Sequence, residues 1–275
     1  MSKKLHFAQL SRFSAAAVVA SAVAILAGCA SQPSLHEKTA SWSPNKIYSE
    51  ARGDMESGSY DAAIPMYTVL EGRAAGTPLA QQAQLEKAYA YYLNEDLPQA
   101  RDTLDRFIKL YPSSAGIDYA LYLRGLVNFG TQGGWLSFLT KQELAERDMA
   151  AAKESFRSFK ELVTRFPDSK YTPDARKRMV YVLNSLSASE VAIADYYFRR
   201  GAYVAAINRA QTAIRDYDGT PALEPALAII VASYDKLGLT QPRDDAQRVL
   251  TQNYPQSQYT NKQYAGKDKS FWQLW

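Results

Sequence analysis

The chain is poor in the residues that catalysis and cross-linking draw on most. It has a single cysteine, Cys29, so no disulfide can close within it. It has two histidines, His6 and His36, both near the N-terminus. Histidine acid–base chemistry and His/Cys metal centres are thereby excluded as the basis of function. No glycine-rich phosphate loop joins a strand to a helix, because Gly130, Gly133 and Gly134 fall in a loop with no strand before them. No apolar run is long enough to cross a bilayer: the longest, Phe13 to Ala27, falls short of the roughly 20 residues a spanning helix needs. Residues 1–28 also contain no acid, while carrying Lys3, Lys4 and Arg12.

A basic start, a short apolar run and a close in small residues form the pattern of a secretory leader. The run ends in Leu26-Ala27-Gly28-Cys29, which resembles the bacterial lipobox, where the thiol receives diacylglycerol before cleavage in front of it. The expected chemistry of Cys29 is therefore lipidation: covalent diacylglycerol and an N-acyl chain, with no other cofactor and no metal. Several acyl chains exceed the two signals that stable membrane attachment requires. Ala30 follows, instead of the Asp of an inner-membrane retention signal, so the expected location is the outer membrane, with the body facing the periplasm of a Gram-negative bacterium.

Removing the leader leaves 29 of the 32 basic residues against 28 acids, close to neutrality. Such a balance offers no field for nucleic acid. The stretch from Ala30 to Pro44 is polar with two prolines, and residues 29–43 read as a flexible spacer; within it Trp42 either packs on the first helix or faces solvent or membrane.

The body carries an internal repeat. Ala51 and Ala88, Gly58 and Glu95, Tyr60 and Leu97, and Ala63 and Ala100 are each 37 apart; so are Tyr197 and Tyr234, Gly201 and Gly238, and Tyr217 and Tyr254. Each unit runs helix, turn, alanine-bearing helix, aromatic-proline stop. Ala100, Leu104, Phe107 and Tyr111 mark an inward helical face. Tyr111-Pro112, Phe166-Pro167 and Tyr254-Pro255 end helices, since proline cannot continue them. The order resembles the tetratricopeptide repeat, whose usual period is about 34. One such unit cannot bury its face alone, so several must stack. The expected fold is all-α: a right-handed superhelix of about five helix-turn-helix units, near 44–78, 79–116, 117–170, 171–219 and 220–257, with an aromatic tail over 258–275. Residues 128–148 read as an insertion in the third unit, whose Trp135, Leu136, Phe138 and Leu139 either cover a neighbouring helix or present a contact surface. The extra length of the fourth unit falls in a helix from about Pro173. After Pro255 too little chain remains for a lysozyme-like domain, so a peptidoglycan-cleaving enzyme is not expected either.

A lipobox followed by about five such repeats resembles the BamD family, the lipoproteins of the machinery that assembles β-barrels in Gram-negative outer membranes. The stretches that carry the likeness are 88–112, 117–126, 166–178 and 194–210. One stretch departs from it: "GRAAGTPLAQQ" (72–82) lacks the aromatic-proline run that usually closes the first repeat. The resemblance implies a non-catalytic adaptor, with C-terminal repeats docking the periplasmic domains of BamA, other BAM lipoproteins alongside, and N-terminal repeats receiving unfolded outer membrane β-barrel proteins. Another adaptor role, in secretin assembly or envelope constriction, stays open.

Candidate contacts fall in two places. Arg200, Tyr203, Arg209 and Arg215 lie in the segment that by resemblance meets BamA, and arginine and tyrosine suit interface hot spots. Arg209 and Arg200 are the first choices for pairing a carboxylate there. The alternative is a solvated helix face with pairs such as Arg215 with Asp216. Tyr60, Tyr89 and Tyr92 are candidates to line a substrate groove, their rings being apolar with a polar tip, while Tyr67 and Tyr91 read as core. Phe271, Trp272, Leu274 and Trp275 either pack on the last repeat or rest at the membrane interface.

Overall fold

The structure, a computed structural model, describes residues 34–129, 142–260 and 264–266, the side chains of 142–148 excepted. Cys29, Trp135, Leu136, Phe138, Leu139, Phe271, Trp272, Leu274 and Trp275 lie outside the described residues.

Among the described residues there is no strand, and ten helices follow a single turn at Leu35–Lys38. They are α1 Pro44–Glu56, α2 Tyr60–Arg73, α3 Pro78–Leu93, α4 Leu97–Leu110, α5 Ile117–Phe129, α6 Gln142–Arg165, α7 Thr172–Arg199, α8 Tyr203–Asp216, α9 Leu223–Lys236 and α10 Thr240–Asn253. Each helix packs mainly on its chain neighbours, and odd-numbered helices also touch across pairs, as α7 and α9 do. The result is a helical solenoid of five antiparallel pairs.

Local chemistry sets the helix boundaries. Ser43, Thr77 and Asp96 cap α1, α3 and α4 by accepting from backbone N–H groups three residues on, and Pro44, Pro78 and Pro98 sit in the first turns where no amide partner is lost. Within four of the pairs the turn passes through a left-handed residue: Gly58, Glu95, Gly201 and Gly238, with φ of 78°, 60°, 75° and 71°. The amide one residue further on reaches back to the helix, Ser59 to Asp54, Asp96 to Tyr91, Ala202 to Tyr197 and Leu239 to Tyr234, at 2.8–3.0 Å. These bonds close a glycine-type helix cap. Of these four, only the second pair puts a side chain in that conformation.

Between pairs, Tyr111, Tyr217 and Tyr254 end α4, α8 and α10 with nearly equal backbones, φ/ψ of −127°/56°, −134°/52° and −131°/65°. Ala74, in the stretch that departs from the family pattern, ends α2 at −100°/20° instead. A hydroxyl three residues beyond the stop ties back to the first helix of its own pair: Ser114 to Gln81 at 2.8 Å, Ser169 to Asp118 at 2.7 Å and Thr220 to Ser187 at 2.7 Å.

Three main apolar clusters fill the seams. Ile47, Ala51, Ala63, Tyr67 and Leu70 hold the first pair and the start of α3; Trp42 packs against them, and its backbone carbonyl accepts from Arg73 at 3.1 Å. Leu104, Phe107, Leu121, Phe159 and Leu162 centre the second and third pairs. Ala194, Phe198, Ala206, Ala210, Ala226 and Ile229 hold the fourth and fifth. Gly125 lets α5 and α6 meet: a Cβ there would lie 2.3 Å from the Phe159 ring. The four extra turns of the fourth pair are absorbed by α7, whose 28 residues span roughly 42 Å. Its start packs in the central cluster through Ala175, its end in the last through Val191 and Ala194.

The packed body also continues past the expected boundary at 257. Tyr259 and Tyr264 join the last cluster. They sit in a polar run without helical period, which is why the sequence pattern left them in a tail.

Candidate functional site

Two surfaces concentrate functional side chains. The first lies along the odd-numbered helices of the N-terminal pairs. On α1, Tyr48 and Arg52 are one turn apart; on α3, Gln82, Glu86 and Tyr89 follow the same register; α5 adds Tyr119 and Tyr122, and α7 adds Asp174 and Arg178. Spacings of three and four put each set on one helix face. The faces join. The Gln82 amide donates to the Tyr48 hydroxyl, Tyr48 lies 6.4 Å from Tyr67, and Tyr89 stacks on Tyr92 at 6.3 Å. Tyr171 stacks on Tyr122 at 4.9 Å and meets Tyr119 at 5.5 Å.

Charge is placed within this face. Burial pushes the Glu86 carboxyl above its ordinary range, with the nearby Arg52 and a hydrogen bond from Gln82 opposing it. Asp174 is pulled below the usual carboxylate range, chiefly by the bond from Arg178 at 2.5 Å, and also accepts from the Tyr122 hydroxyl at 2.8 Å. The Tyr67 hydroxyl is buried without a protein partner. Further along, Phe129 and Tyr181 lie 5.6 Å apart with Arg178 over the Phe129 ring. Both rings are well exposed. The whole is a ribbon of half-buried rings interleaved with one raised and one lowered carboxyl. Such a surface suits an extended polypeptide, offering ring faces to apolar side chains and hydroxyls and carboxylates to backbone N–H groups.

Of the substrate-groove candidates, Tyr89 and Tyr92 belong to this ribbon. Tyr60 opens α2, the second helix of its pair, and no ring contact among the described residues joins it to the ribbon. Tyr67 is fully buried, and Tyr91 is partly buried against the central cluster. Sequence reasoning missed Tyr48, Glu86, Tyr119, Tyr122 and Tyr171. The available signal was register: aligning the first helices of successive repeats puts these positions on one side.

The second surface is the end of α7 and α8. Arg200 lies over the Tyr196 ring at 5.4 Å, and Tyr203 meets Phe198 edge-on at 5.6 Å. Arg215 pairs with its neighbour Asp216 at 2.8 Å, a fully solvated contact. Arg209 reaches across the helix pair to Glu190 of α7 at 3.3 Å, and that carboxylate is 3% exposed while Arg209 is 46% exposed. Arg209 therefore has two faces, one neutralising a buried acid of its own chain and one open to solvent. Among the described residues no group of His, Cys, Asp and Glu is arranged to hold a metal ion, and no helix is long and apolar enough to cross a membrane.

A five-pair helical solenoid with a ring-lined face and an arginine-rich end is the architecture of a helical-repeat protein. Comparison with known proteins gives the family: residues 40–250 match the model of the outer membrane lipoprotein family YfiO, and the chain belongs to it. Outer membrane protein assembly factor BamD of Neisseria meningitidis serogroup A is 40% identical over 253 residues, covering 91% of this chain and 95% of that protein. BamD of Vibrio cholerae is 34% identical over 84% of this chain and 95% of its own. Among solved structures, MamA aligns over 78% of this chain and 96% of its own at 16% identity, with a TM-score of 0.33.

Proposed function

We propose that this chain serves the assembly of outer membrane proteins as a non-catalytic adaptor, held at the outer membrane by lipid on Cys29 and reaching into the periplasm. The observation that carries the reading is likeness at 40% identity to outer membrane protein assembly factors across nearly the whole chain. In this reading the α7–α8 end docks the periplasmic domains of BamA through Arg200, Tyr203, Arg215 and the open face of Arg209, with the other BAM lipoproteins alongside. The ribbon of Tyr48, Tyr89, Tyr92, Tyr119 and Tyr122 receives segments of unfolded barrel proteins before they pair their strand edges, so the work is binding and orientation with no bond made or broken.

Affinity purification from outer membranes tests it. The expected result is co-purification of a barrel-forming partner, with a fall in folded porins on depletion. Capture of a secretin or a constriction complex with porins unchanged would overturn it. Arg200→Glu is the cleaner docking variant, because Arg209→Glu would also set a second carboxylate against buried Glu190.

A further inference from the structure

Tyr264 is held at the solenoid's end like a ligand. It is 8% exposed and meets Phe198 edge-on at 5.5 Å and Tyr259 at 5.6 Å. Its hydroxyl donates to Asp195 Oδ1 at 2.5 Å, while Oδ2 of the same carboxylate accepts from Arg199 Nε at 3.0 Å. Asp195 is itself 4% exposed. Two residues on, Gly266 has φ +89°, and a Cβ there would lie 2.9 Å from Arg199 Cγ and 3.6 Å from Asp195 Oδ1. The place therefore selects a hydroxyl-bearing ring followed, two positions later, by a residue without a side chain.

Among the described residues the wall beyond Tyr264 is open. A cleft of about 250 Å³ runs between α9 and α10, floored by Ala228 and Ala232, edged by Asp235, Arg243 and Gln247, and closed on one side by Tyr259 and Tyr264. Asp195 and Ala228 lie on first helices of their pairs, as the tyrosine ribbon does. The match to the family model ends at residue 250, inside α10, and does not reach the segment that fills this place.

We propose that the α7–α9 face, with Asp195 at its centre, is a receptor for extended polypeptide carrying tyrosine two residues before glycine. Tyr264 and Gly266 of this chain are its resident ligand, exchangeable for the same pattern presented by another polypeptide. The inference stands apart from the barrel-assembly reading, since it rests on the chain's own intramolecular contact.

The test titrates a fluorescent peptide of sequence 258–267 against the purified full chain in detergent, following anisotropy. The wild-type chain, already occupied, takes up little. Tyr264→Ala vacates the ring site, and its affinity for the peptide should rise at least tenfold. Adding Asp195→Asn to that variant, or using the Tyr264→Phe peptide, should lower it again by at least tenfold. Gly266→Val provides a second way to dislodge the segment, should Tyr264→Ala lose helical signal in circular dichroism. The proposal is overturned if the dislodged chains bind no better than wild type, or if peptide uptake is indifferent to the tyrosine hydroxyl and to Asp195.

Discussion

The three N-terminal pairs and the two C-terminal pairs close the same kind of helix seam with different side chains. In the first region the seam is filled by Tyr67, Phe107, Leu121, Phe159 and Leu162, and clamped by one buried and one largely covered cation. Lys87 meets Glu71 across α2 and α3, and Arg124 joins Ser158, Asp105 and Glu161 on the helices either side of it at 3.0–3.3 Å. In the second region most of the seam is alanine, with Ala194, Ala206, Ala210, Ala213, Ala226, Ala228 and Ala232 all nearly or fully buried. Alanine lets helices approach closely at little entropic cost but removes little apolar area from water. The C-terminal pairs therefore lean on what covers them, Tyr259 and Tyr264, and their exposed arginines leave that end suited to a partner. The first region is stabilised from within and the second by addition.

Truncating one ring on each side is the strongest way to break this contrast. Phe159 is fully buried between rigid helices, so Phe159→Ala should cost about 3–5 kcal/mol in urea unfolding. Phe198 is covered partly by the non-helical Tyr264 segment, which can settle into the space, so Phe198→Ala should cost about 2 kcal/mol, below that range. Equal losses would mean the two seams are equally rigid, and the contrast would fall.

Alkaline pH probes both regions at once. Burial raises the phenol of Tyr67 above its ordinary value, and burial with the bond to Asp195 does the same for Tyr264. A group raised in the folded state lends stability that is complete below its unfolded value, near pH 10, and is lost as pH climbs toward the folded one. Each phenol should then remove about 1.4 kcal/mol by pH 11, roughly 3 kcal/mol for the two. Urea midpoints at pH 9 and pH 11, compared between wild type and Tyr67→Phe/Tyr264→Phe, isolate this sum from Tyr119, Tyr122, Tyr217 and Tyr254, whose phenols burial also raises. Tyrosinate absorbance near 295 nm should stay below the full complement until unfolding, and complete titration of a still-helical chain would refute the assignment.

The ion pair across the fourth helix pair sharpens the comparison further. Removing Arg209 leaves the Glu190 carboxylate, 3% exposed, without its guanidinium. Breaking a fully buried pair costs about 3–5 kcal/mol, but Arg209 is half in water, so Arg209→Ala should cost about 1–2 kcal/mol. Glu190→Gln in the same chain should recover most of it. Undiminished stability in Arg209→Ala would free the residue entirely for a partner and place the whole weight of the C-terminal region on its appended segment.

How much of this was legible beforehand depended on periodicity. The interval of 37 matched Gly58 to Glu95 and Gly201 to Gly238, and all four prove to be left-handed turn residues; the aromatic-proline stops fall at the ends of α4, α6 and α10. Those signals are local, written by capping and by proline sterics. The candidate site was less legible because it is built across helices. Tyr119 and Tyr122 look like core in their own helix and join a ribbon only when α3 and α7 stand beside them. For Arg209 the sequence leaves a partner's carboxylate and a solvated helix face both open, because nothing local reveals that Glu190, 19 residues earlier, lies across from it. Tyr264 escaped for the same reason, its partner Asp195 being 69 residues away.

The finest test concerns the one turn that breaks its own repeat. Glu95 holds φ of 60° where the equivalent turns have glycine, and its side chain is exposed. A left-handed backbone costs an ordinary L-residue about 1–2 kcal/mol. Glycine there would remove that strain, offset by the roughly 0.5–1 kcal/mol of extra freedom it gives the unfolded chain. Glu95→Gly should therefore stabilise the chain by about 0.5 kcal/mol, opposite in sign to every change above, visible as a small rise in urea midpoint at unchanged slope. Gly58→Glu or Gly201→Glu should lower the midpoint by a similar amount. Were Glu95→Gly instead to lower it, the second pair would be using the glutamate side chain itself, and the stretch from Tyr89 to Tyr92 beside it would have to be reread as a surface that needs that charge.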